Sequence, residues 1–71
     1  MELPANRIGQ LRTEAGASHA TLAVLCDVSE MTVRRWERGE TSISDAQKFK
    51  LAEFFEVTPN YLMGWPEKAK A

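Results

Sequence analysis

Short stretches of helical apolar spacing alternate along this chain with turn residues at short, regular intervals. This pattern favours several short helices over a sheet. In the first stretch Ile8, Leu11 and Ala15 are spaced to share one buried face, and Gly16 follows as a C-terminal stop. Five helices are predicted, over residues of about 4–15, 19–26, 30–38, 44–56 and 59–63.

Capping residues mark the starts of the predicted helices. Ser18 and Ser29 stand directly before the second and third helices, where a hydroxyl side chain is favoured. Ser44 and Gln47 have the spacing of a capping box at the start of the fourth helix. Asp27 falls where the chain must turn between the second and third helices, and a short polar residue tolerates a left-handed backbone there.

The third predicted helix has two unlike faces. At about 100° per residue, Val33 and Trp36 point one way, while Met31, Arg35 and Arg38 gather on the opposite side. Arg34 lies at the margin of that second face. The third helix is therefore predicted to bury its apolar stripe and to expose a basic side.

The size and charge of the chain limit what it forms and binds. Its 71 residues with 44% hydrophobic content suffice for one compact domain, expected over residues 1–65 and followed by a flexible tail or linker at 66–71. The net charge of −1 argues mildly against nucleic acid. However, three arginines fall between positions 34 and 38, so a local basic face is possible although the net charge of the chain is negative.

Several classes of protein are excluded by what the sequence lacks. The longest apolar run, residues 22–26, is far too short to cross a bilayer, and no export signal is visible, so we expect a cytoplasmic protein. One cysteine, Cys26, and one histidine, His19, make neither a disulfide nor a four-ligand zinc site. The sequence shows no candidate nucleophile paired with a general base, so we do not expect an enzyme. We also expect no metal and no cofactor.

Two short helices joined by a tight turn, over residues 18–39, resemble the Cro and repressor (XRE-type) helix-turn-helix. Residues 7–12, the ending Trp36-Glu37-Arg38-Gly39 and the closing residues 57–64 also match the pattern of that family in order. The resemblance implies an all-α, compact five-helix, lambda-repressor-like DNA-binding domain with its motif at 18–38. It also implies that Arg12 and Glu37 form a structural ion pair between the first and third helices.

In such domains the third helix, here residues 30–38, enters the major groove. The resemblance then implies base contacts by Glu30, Met31, Arg34 and Arg35. Arginine gives two hydrogen bonds to guanine, glutamate accepts from the cytosine amino group, and methionine contacts a thymine methyl. Contacts to the DNA backbone are expected at Ser18, His19, Ser29, Thr32, Arg38, Thr41 and Ser42.

Plainer interpretations stay open for some of these residues. Glu30 and Arg34 are spaced for an exposed ion pair within the helix. Arg34 is equally suited to a phosphate, and His19 is as well explained as an ordinary surface residue.

Three departures from the family pattern stand out. Asp27 and Glu56 replace glycines that are common at two turns. Val24 and Leu25 occupy positions that are usually polar and exposed, which suggests contact with a partner or with the tail. The third departure is the loop of residues 39–45, where Glu40 and Asp45 stand in place of basic residues and predict modest affinity for DNA.

Two functions are consistent with the sequence. The first is a transcriptional regulator, expected to be a repressor that binds an inverted-repeat operator in double-stranded DNA as a homodimer. Tyr61, Met63 and Trp65 are candidates for the dimer contact, and Leu62 suits either that contact or the core. The alternative is a protein-interaction module on the same fold, antitoxin-like or anti-repressor, which salt-dependent DNA binding would distinguish.

Overall fold

The computed structural model describes residues 5–65 of the chain, and five α-helices make up the regular structure of these residues. No strand occurs within them. The helices are α1 Ile8–Ala15, α2 His19–Cys26, α3 Glu30–Arg38, α4 Asp45–Phe55 and α5 Pro59–Met63. The predicted all-α, five-helix architecture is confirmed, and the predicted tail at 66–71 lies outside the described residues.

The starts of α2 to α5 are fixed by side-chain caps. In each case the cap hydroxyl accepts a hydrogen bond from the backbone N–H three residues later, which satisfies a donor that the helix itself leaves unpaired. The caps are Ser18, Ser29, Ser44 and Thr58. The backbone N–H of Ser44 in turn donates to Gln47 Oε1, so the predicted capping box is present.

The first helix begins later than predicted, at Ile8 instead of about position 4. The side chain of Asn6 explains this start: its Oδ1 accepts from the backbone N–H of Ile8 at 3.0 Å, and its Nδ2 donates to the Trp36 carbonyl at 2.6 Å. The backbone N–H of Arg7 donates to the Leu62 carbonyl at 2.8 Å. The Asn6 side chain therefore joins the start of α1 to α3, and the Arg7 backbone joins it to α5. Pro4 lies outside the described residues.

Two helices end on non-glycine residues in the left-handed conformation. Asp27 and Glu56 each have φ of 57°, and their backbone N–H groups close the last turns of α2 and α4. Aspartate tolerates this conformation better than glutamate does, because its short side chain hydrogen-bonds locally. The turns keep their geometry without glycine, and the backbone strain is expected to be larger at Glu56.

We expect Glu56→Gly to raise the free energy of unfolding by about 0.5–1.5 kcal/mol, because a left-handed backbone costs an L-residue about 1–2 kcal/mol. Urea unfolding followed by circular dichroism measures the change. The matched control is Glu53→Gly, which places glycine within the helical backbone of α4. This variant should lower the free energy of unfolding by about 0.5–1 kcal/mol. A Glu56→Gly variant that is no more stable than the wild-type chain would show that this turn carries no strain.

The core lies where the inward faces of all five helices meet. Its fully buried side chains are Ile8, Leu22, Val33, Trp36, Leu51 and Leu62. The Leu62 side chain therefore belongs to the core and is not available for a dimer contact. Leu25 is half-buried against the core, which corrects the expectation that it is exposed beside Val24. Val24 itself is 83% exposed.

Cys26 is buried within this core as a small apolar side chain. Burial raises the pKa of its thiol above the ordinary value, and the nearby charge of Lys50 opposes the rise. The thiol is accordingly protonated at neutral pH and poorly reactive. None of the helices within residues 5–65 has the length and apolarity needed to span a membrane.

Candidate nucleic-acid interface

Helix α3 is held so that one side lies in the core and the other faces solvent. Val33 and Trp36 are completely or almost completely buried, while Met31 and all three arginines of the helix are exposed. The cap at Ser29 begins the helix, and Gly39 ends it with φ of 74°. A Cβ on Gly39 would also lie only 2.6 Å from that of Ala5, so the sharp exit from α3 depends on glycine for two reasons.

The three arginines of α3 differ in their partners. Arg34 lies 3.6 Å from the Glu30 carboxylate, and Arg38 lies 3.2 Å from that of Glu40. All four of these side chains are about half exposed, so both pairs are weak. Arg35 is exposed and forms no ion pair with any residue in the range 5–65. Its guanidinium is thus the α3 cation with no competing carboxylate in the described structure.

The residues expected at the DNA backbone lie at the helix starts and in the loop after α3. The hydroxyls of Ser18 and Ser29 accept from backbone N–H groups as caps, and both side chains are exposed. Thr32 is half-buried in the first turn of α3. Thr41 and Ser42 are exposed in the loop that joins α3 to α4. All of these positions except Ser18, which caps α2, lie in or next to α3 along the chain.

Arg12, His19 and Glu37 form a cluster that ties three helices together. The Arg12 Nε donates to Glu37 Oε2 at 2.8 Å, and His19 Nε2 lies 3.3 Å from Glu37 Oε1. The Glu37 side chain is only 16% exposed. Arg12 also donates from Nη1 to the Ala17 carbonyl at 3.2 Å, which fixes the turn between α1 and α2. The cluster sets the start of α2 against α1 and α3.

Gly9 makes room for this cluster. A Cβ at position 9 would lie 3.1 Å from the Glu37 Oε1, closer than an ordinary van der Waals contact. A glycine inside a helix normally lowers its stability. Here the missing side chain lets the carboxylate of α3 approach α1, a role that no local pattern in the sequence indicates.

We expect Glu37→Gln to lower the free energy of unfolding by about 1–3 kcal/mol, because it removes the charged acceptor of a largely buried guanidinium. Urea unfolding by circular dichroism is the measurement. The matched control is Glu53→Gln, an exposed α4 residue without an ion pair to residues 5–65, with an expected change within about 0.5 kcal/mol. Equal unfolding midpoints for the two variants would mean that the cluster adds no stability.

The three residues considered for dimerisation line two different concavities. Tyr61 stacks under the Arg7 guanidinium, 4.1 Å from the ring centroid, and lines a groove with Leu11 and Val57. Met63 and Trp65 instead line a separate concavity beside the loop after α3. Lys48 lies over the Trp65 ring at 4.7 Å from its centroid.

Two exposed aromatic residues on α4 were not singled out from the sequence. Phe49 is 64% exposed, and Phe54 is exposed while packing edge-on against Phe55 at a centroid distance of 5.1 Å. Both fall outside the inward stripe of α4, a signal that the helical spacing already contained. Within residues 5–65, no three His, Cys, Asp or Glu side chains are grouped to hold a metal ion.

Comparison with known proteins identifies this arrangement. The helix-turn-helix family model matches residues 8–62, which span α1 to α5 almost completely. The chain belongs to the helix-turn-helix family. The resemblance to Cro and repressor (XRE-type) domains is thereby confirmed.

Three solved structures show the same fold. A transcriptional regulator from Listeria innocua has a TM-score of 0.80 at 25% identity over 90% of this chain, and the chain spans 60% of that protein's length. The restriction-modification controller C.AhdI from Aeromonas hydrophila has a TM-score of 0.69 at 36% identity, covering 79% of this chain and 85% of that one. The P22 c2 repressor, solved in complex with a synthetic operator, has a TM-score of 0.73 at 28% identity. The match covers 80% of this chain and 86% of that one.

A search of curated proteins finds no significant match. The helix-turn-helix family and these neighbours support a DNA-binding transcriptional regulator, a class that is typically not enzymatic. The alternative of a protein-interaction module on the same fold is not favoured by these comparisons.

Proposed function

We propose that this chain is a sequence-specific repressor that inserts α3 into the major groove of operator DNA. The observation that carries the proposal is the exposed face of α3, where Arg35 stands without an ion pair to residues 5–65. A free guanidinium on a helix that fits the groove is suited to two hydrogen bonds with guanine. The likeness to the P22 c2 repressor, solved in complex with a synthetic operator, supports binding to operator DNA.

The neighbouring residues on α3 are assigned to the adjoining bases. Met31 contacts a thymine methyl, and Glu30 accepts from a cytosine amino group. The Glu30–Arg34 pair has to open for Glu30 to reach a base, and an exposed pair of this kind is worth only about 0.2–0.5 kcal/mol. Arg34, once released, reaches either a base or a phosphate.

Contacts with the sugar-phosphate backbone orient the domain on the duplex. We assign them to polar residues at the helix starts, at the end of α3 and in the loop after it, of which only Thr32 is half-buried and the others are exposed: Ser18, Ser29, Thr32, Arg38, Thr41 and Ser42. The assignment of His19 changes, because its ring faces Glu37. We propose that His19 holds the start of α2 in position instead of contacting a phosphate directly.

Glu40 competes with DNA for Arg38. We expect Glu40→Gln to raise the affinity for duplex DNA, and to make the slope of log K against log salt steeper by up to about 0.9, because one more cation becomes available to phosphate. Fluorescence anisotropy at several salt concentrations measures both effects. Glu53→Gln removes the same charge from α4 as a control. If the affinity for DNA rises equally in both variants, the cause is the change in net charge and not the release of Arg38.

A homodimer on an inverted repeat is the proposed binding form, with the two α3 helices about 34 Å apart on successive major-groove faces. Because Tyr61 lines a different concavity from Met63 and Trp65, we assign the dimer contact to Trp65, which is 50% exposed, together with its neighbour Met63. We also propose a cytoplasmic location, where such a regulator meets DNA.

The test is selection of the purified chain on a pool of random duplex DNA at two salt concentrations, followed by sequencing. An enriched inverted repeat whose binding weakens at higher salt would support the sequence-specific regulator. Enrichment of a single half-site would support DNA binding and contradict the dimer. Absence of enrichment at both salt concentrations would overturn the proposed function.

A further inference from the structure

The sulfur atoms of this chain differ in their access to solvent. Within residues 5–65 they belong to Met31, Met63 and Cys26, and Met1 stands outside that range. Met31 is 47% exposed, whereas Met63 is half-buried and Cys26 is only 4% exposed. A reagent in solution that attacks sulfur therefore reaches Met31 most easily among these three residues.

The chemistry of the two kinds of sulfur increases this difference. A cysteine reacts with oxidants as its thiolate. Burial raises the pKa of the Cys26 thiol, so that the group stays protonated at neutral pH. The thioether of methionine has no proton to lose, and its oxidation follows its exposure. Met31 is thus the sulfur of residues 5–65 that a peroxide oxidises first.

Met31 lies where a change of polarity affects DNA recognition and leaves the fold intact. It is the second residue of α3, on the side opposite the buried Val33 and Trp36. The cap of this helix is the hydrogen bond from the Thr32 backbone N–H to Ser29 Oγ at 3.1 Å, in which the Met31 side chain takes no part. Oxidation of Met31 therefore disturbs neither the core nor the cap.

We propose that Met31 is a site of reversible oxidation by hydroperoxides, and that its oxidation weakens the recognition of thymine by α3. The Met31 sulfur attacks the O–O bond of the hydroperoxide: an S–O bond forms, the O–O bond breaks, sulfur loses two electrons, and the peroxide leaves as water or an alcohol. A methionine sulfoxide reductase reverses the step by oxidising a dithiol to a disulfide, with release of water. This inference rests on the proposed function, because its target is the contact between Met31 and a thymine methyl.

The sulfoxide is unsuited to that contact. Its S–O group is strongly polar, and placing it against a methyl group removes it from water without supplying a hydrogen-bond donor. The apolar contact of the thioether is lost at the same time. We expect the oxidised chain to bind its preferred duplex about fourfold or more weakly, since burial of one methyl-sized group accounts for about that factor.

The experiment uses the full 71-residue chain, the duplex enriched by selection, and hydrogen peroxide as the oxidant. Peptide mapping by mass spectrometry measures the oxidation of each sulfur, and fluorescence anisotropy measures the affinity for the duplex. We expect Met31 to gain one oxygen atom before Met63 and Cys26 do, and a saturating amount of the duplex to slow that gain. While oxidation is confined to Met31, the midpoint of urea unfolding should stay unchanged.

Two matched variants assign the effect to one residue. Met31→Leu keeps an apolar side chain without sulfur, so its own affinity for the duplex should be equal before and after peroxide treatment. Met63→Leu should lose affinity on treatment by the same factor as the wild-type chain. Incubation of the oxidised wild-type chain with methionine sulfoxide reductases for both sulfoxide epimers and dithiothreitol should restore the affinity.

Replacement of thymine by uracil in the duplex tests the contact itself, because it removes only the methyl group. At one position it should weaken binding of the untreated chain about fourfold. The oxidised chain should bind the thymine and uracil duplexes equally. A untreated chain that is indifferent to uracil at every position would show that Met31 contacts no thymine methyl, and the inference would be wrong.

Failure of this inference differs from failure of the proposed function. If the untreated chain binds no duplex preferentially, the proposed function is wrong and the inference is overturned with it. If the untreated chain binds its duplex and oxidation confined to Met31 leaves the affinity unchanged, only the inference is wrong. The same holds if Met63 or Cys26 is oxidised ahead of Met31, or if Met31→Leu still loses affinity on peroxide treatment.

Discussion

The Arg35→Ala variant is expected to bind the preferred duplex about 5- to 150-fold more weakly than the wild-type chain, because a bidentate arginine–guanine contact is worth about 1–3 kcal/mol of discrimination. Fluorescence anisotropy with the selected duplex at fixed salt measures the loss. The preference at one base position should relax at the same time. Arg35 is exposed and unpaired with residues 5–65, so stability should change little.

Two further variants separate base recognition from charge. Lys50→Ala removes an exposed cation from α4, outside the proposed groove face, and should change the affinity by no more than about twofold through non-specific charge. Arg35→Lys keeps the positive charge but loses the planar guanidinium that can donate two hydrogen bonds to guanine. The salt dependence of DNA binding should therefore be retained, and the base preference should be lost. If Arg35→Ala weakens binding to every sequence equally, Arg35 contacts a phosphate and the assignment to a base is wrong.

Trp36→Ala is expected to cost about 3–5 kcal/mol of unfolding free energy, the usual loss when a buried aromatic side chain is truncated. A domain of this length has a total stability of only about 4–11 kcal/mol at about 0.05–0.15 kcal/mol per residue. Trp36 is 1% exposed and is one of the largest fully buried side chains of the helical core. Its truncation should therefore leave the chain at the edge of unfolding.

The control for this prediction is Trp65→Ala. Trp65 is half exposed and interacts with Lys48 through its ring face, a contact worth about 0.5–1 kcal/mol at exposed sites. Urea unfolding should be followed by circular dichroism, because both variants change the tryptophan fluorescence. A loss below about 1.5 kcal/mol for Trp36→Ala, typical of tolerated volume-conserving swaps, would contradict a core built around this residue.

The start of each helix from α2 onward was correctly predicted from the sequence. Caps such as Ser18, Ser29 and Ser44 act on a backbone N–H three residues away, so the residues that decide the boundary are neighbours in the chain. The left-handed turn at Asp27 is local in the same way. The two faces of α3 followed from spacing alone, because Val33 and Trp36 share a side in any α-helix.

The start of α1 was predicted wrongly for the opposite reason. It depends on the hydrogen bond from Asn6 to the Trp36 carbonyl, which joins residues 30 positions apart. The same holds for the space that Gly9 leaves for Glu37, and for His19, whose ring faces that carboxylate. No local pattern reports which helices will meet at these residues.

By itself, then, the sequence determined the helices, their order and the basic outward face of α3, because capping and periodicity are interactions between residues three or four positions apart. Tertiary packing sets which arginine of α3 is left unpaired, and it turns Leu25 inward while Val24 stays exposed. It also places Tyr61 and Trp65 in different concavities. Those outcomes depend on how helices pack against one another, and packing brings together residues that are far apart in the chain.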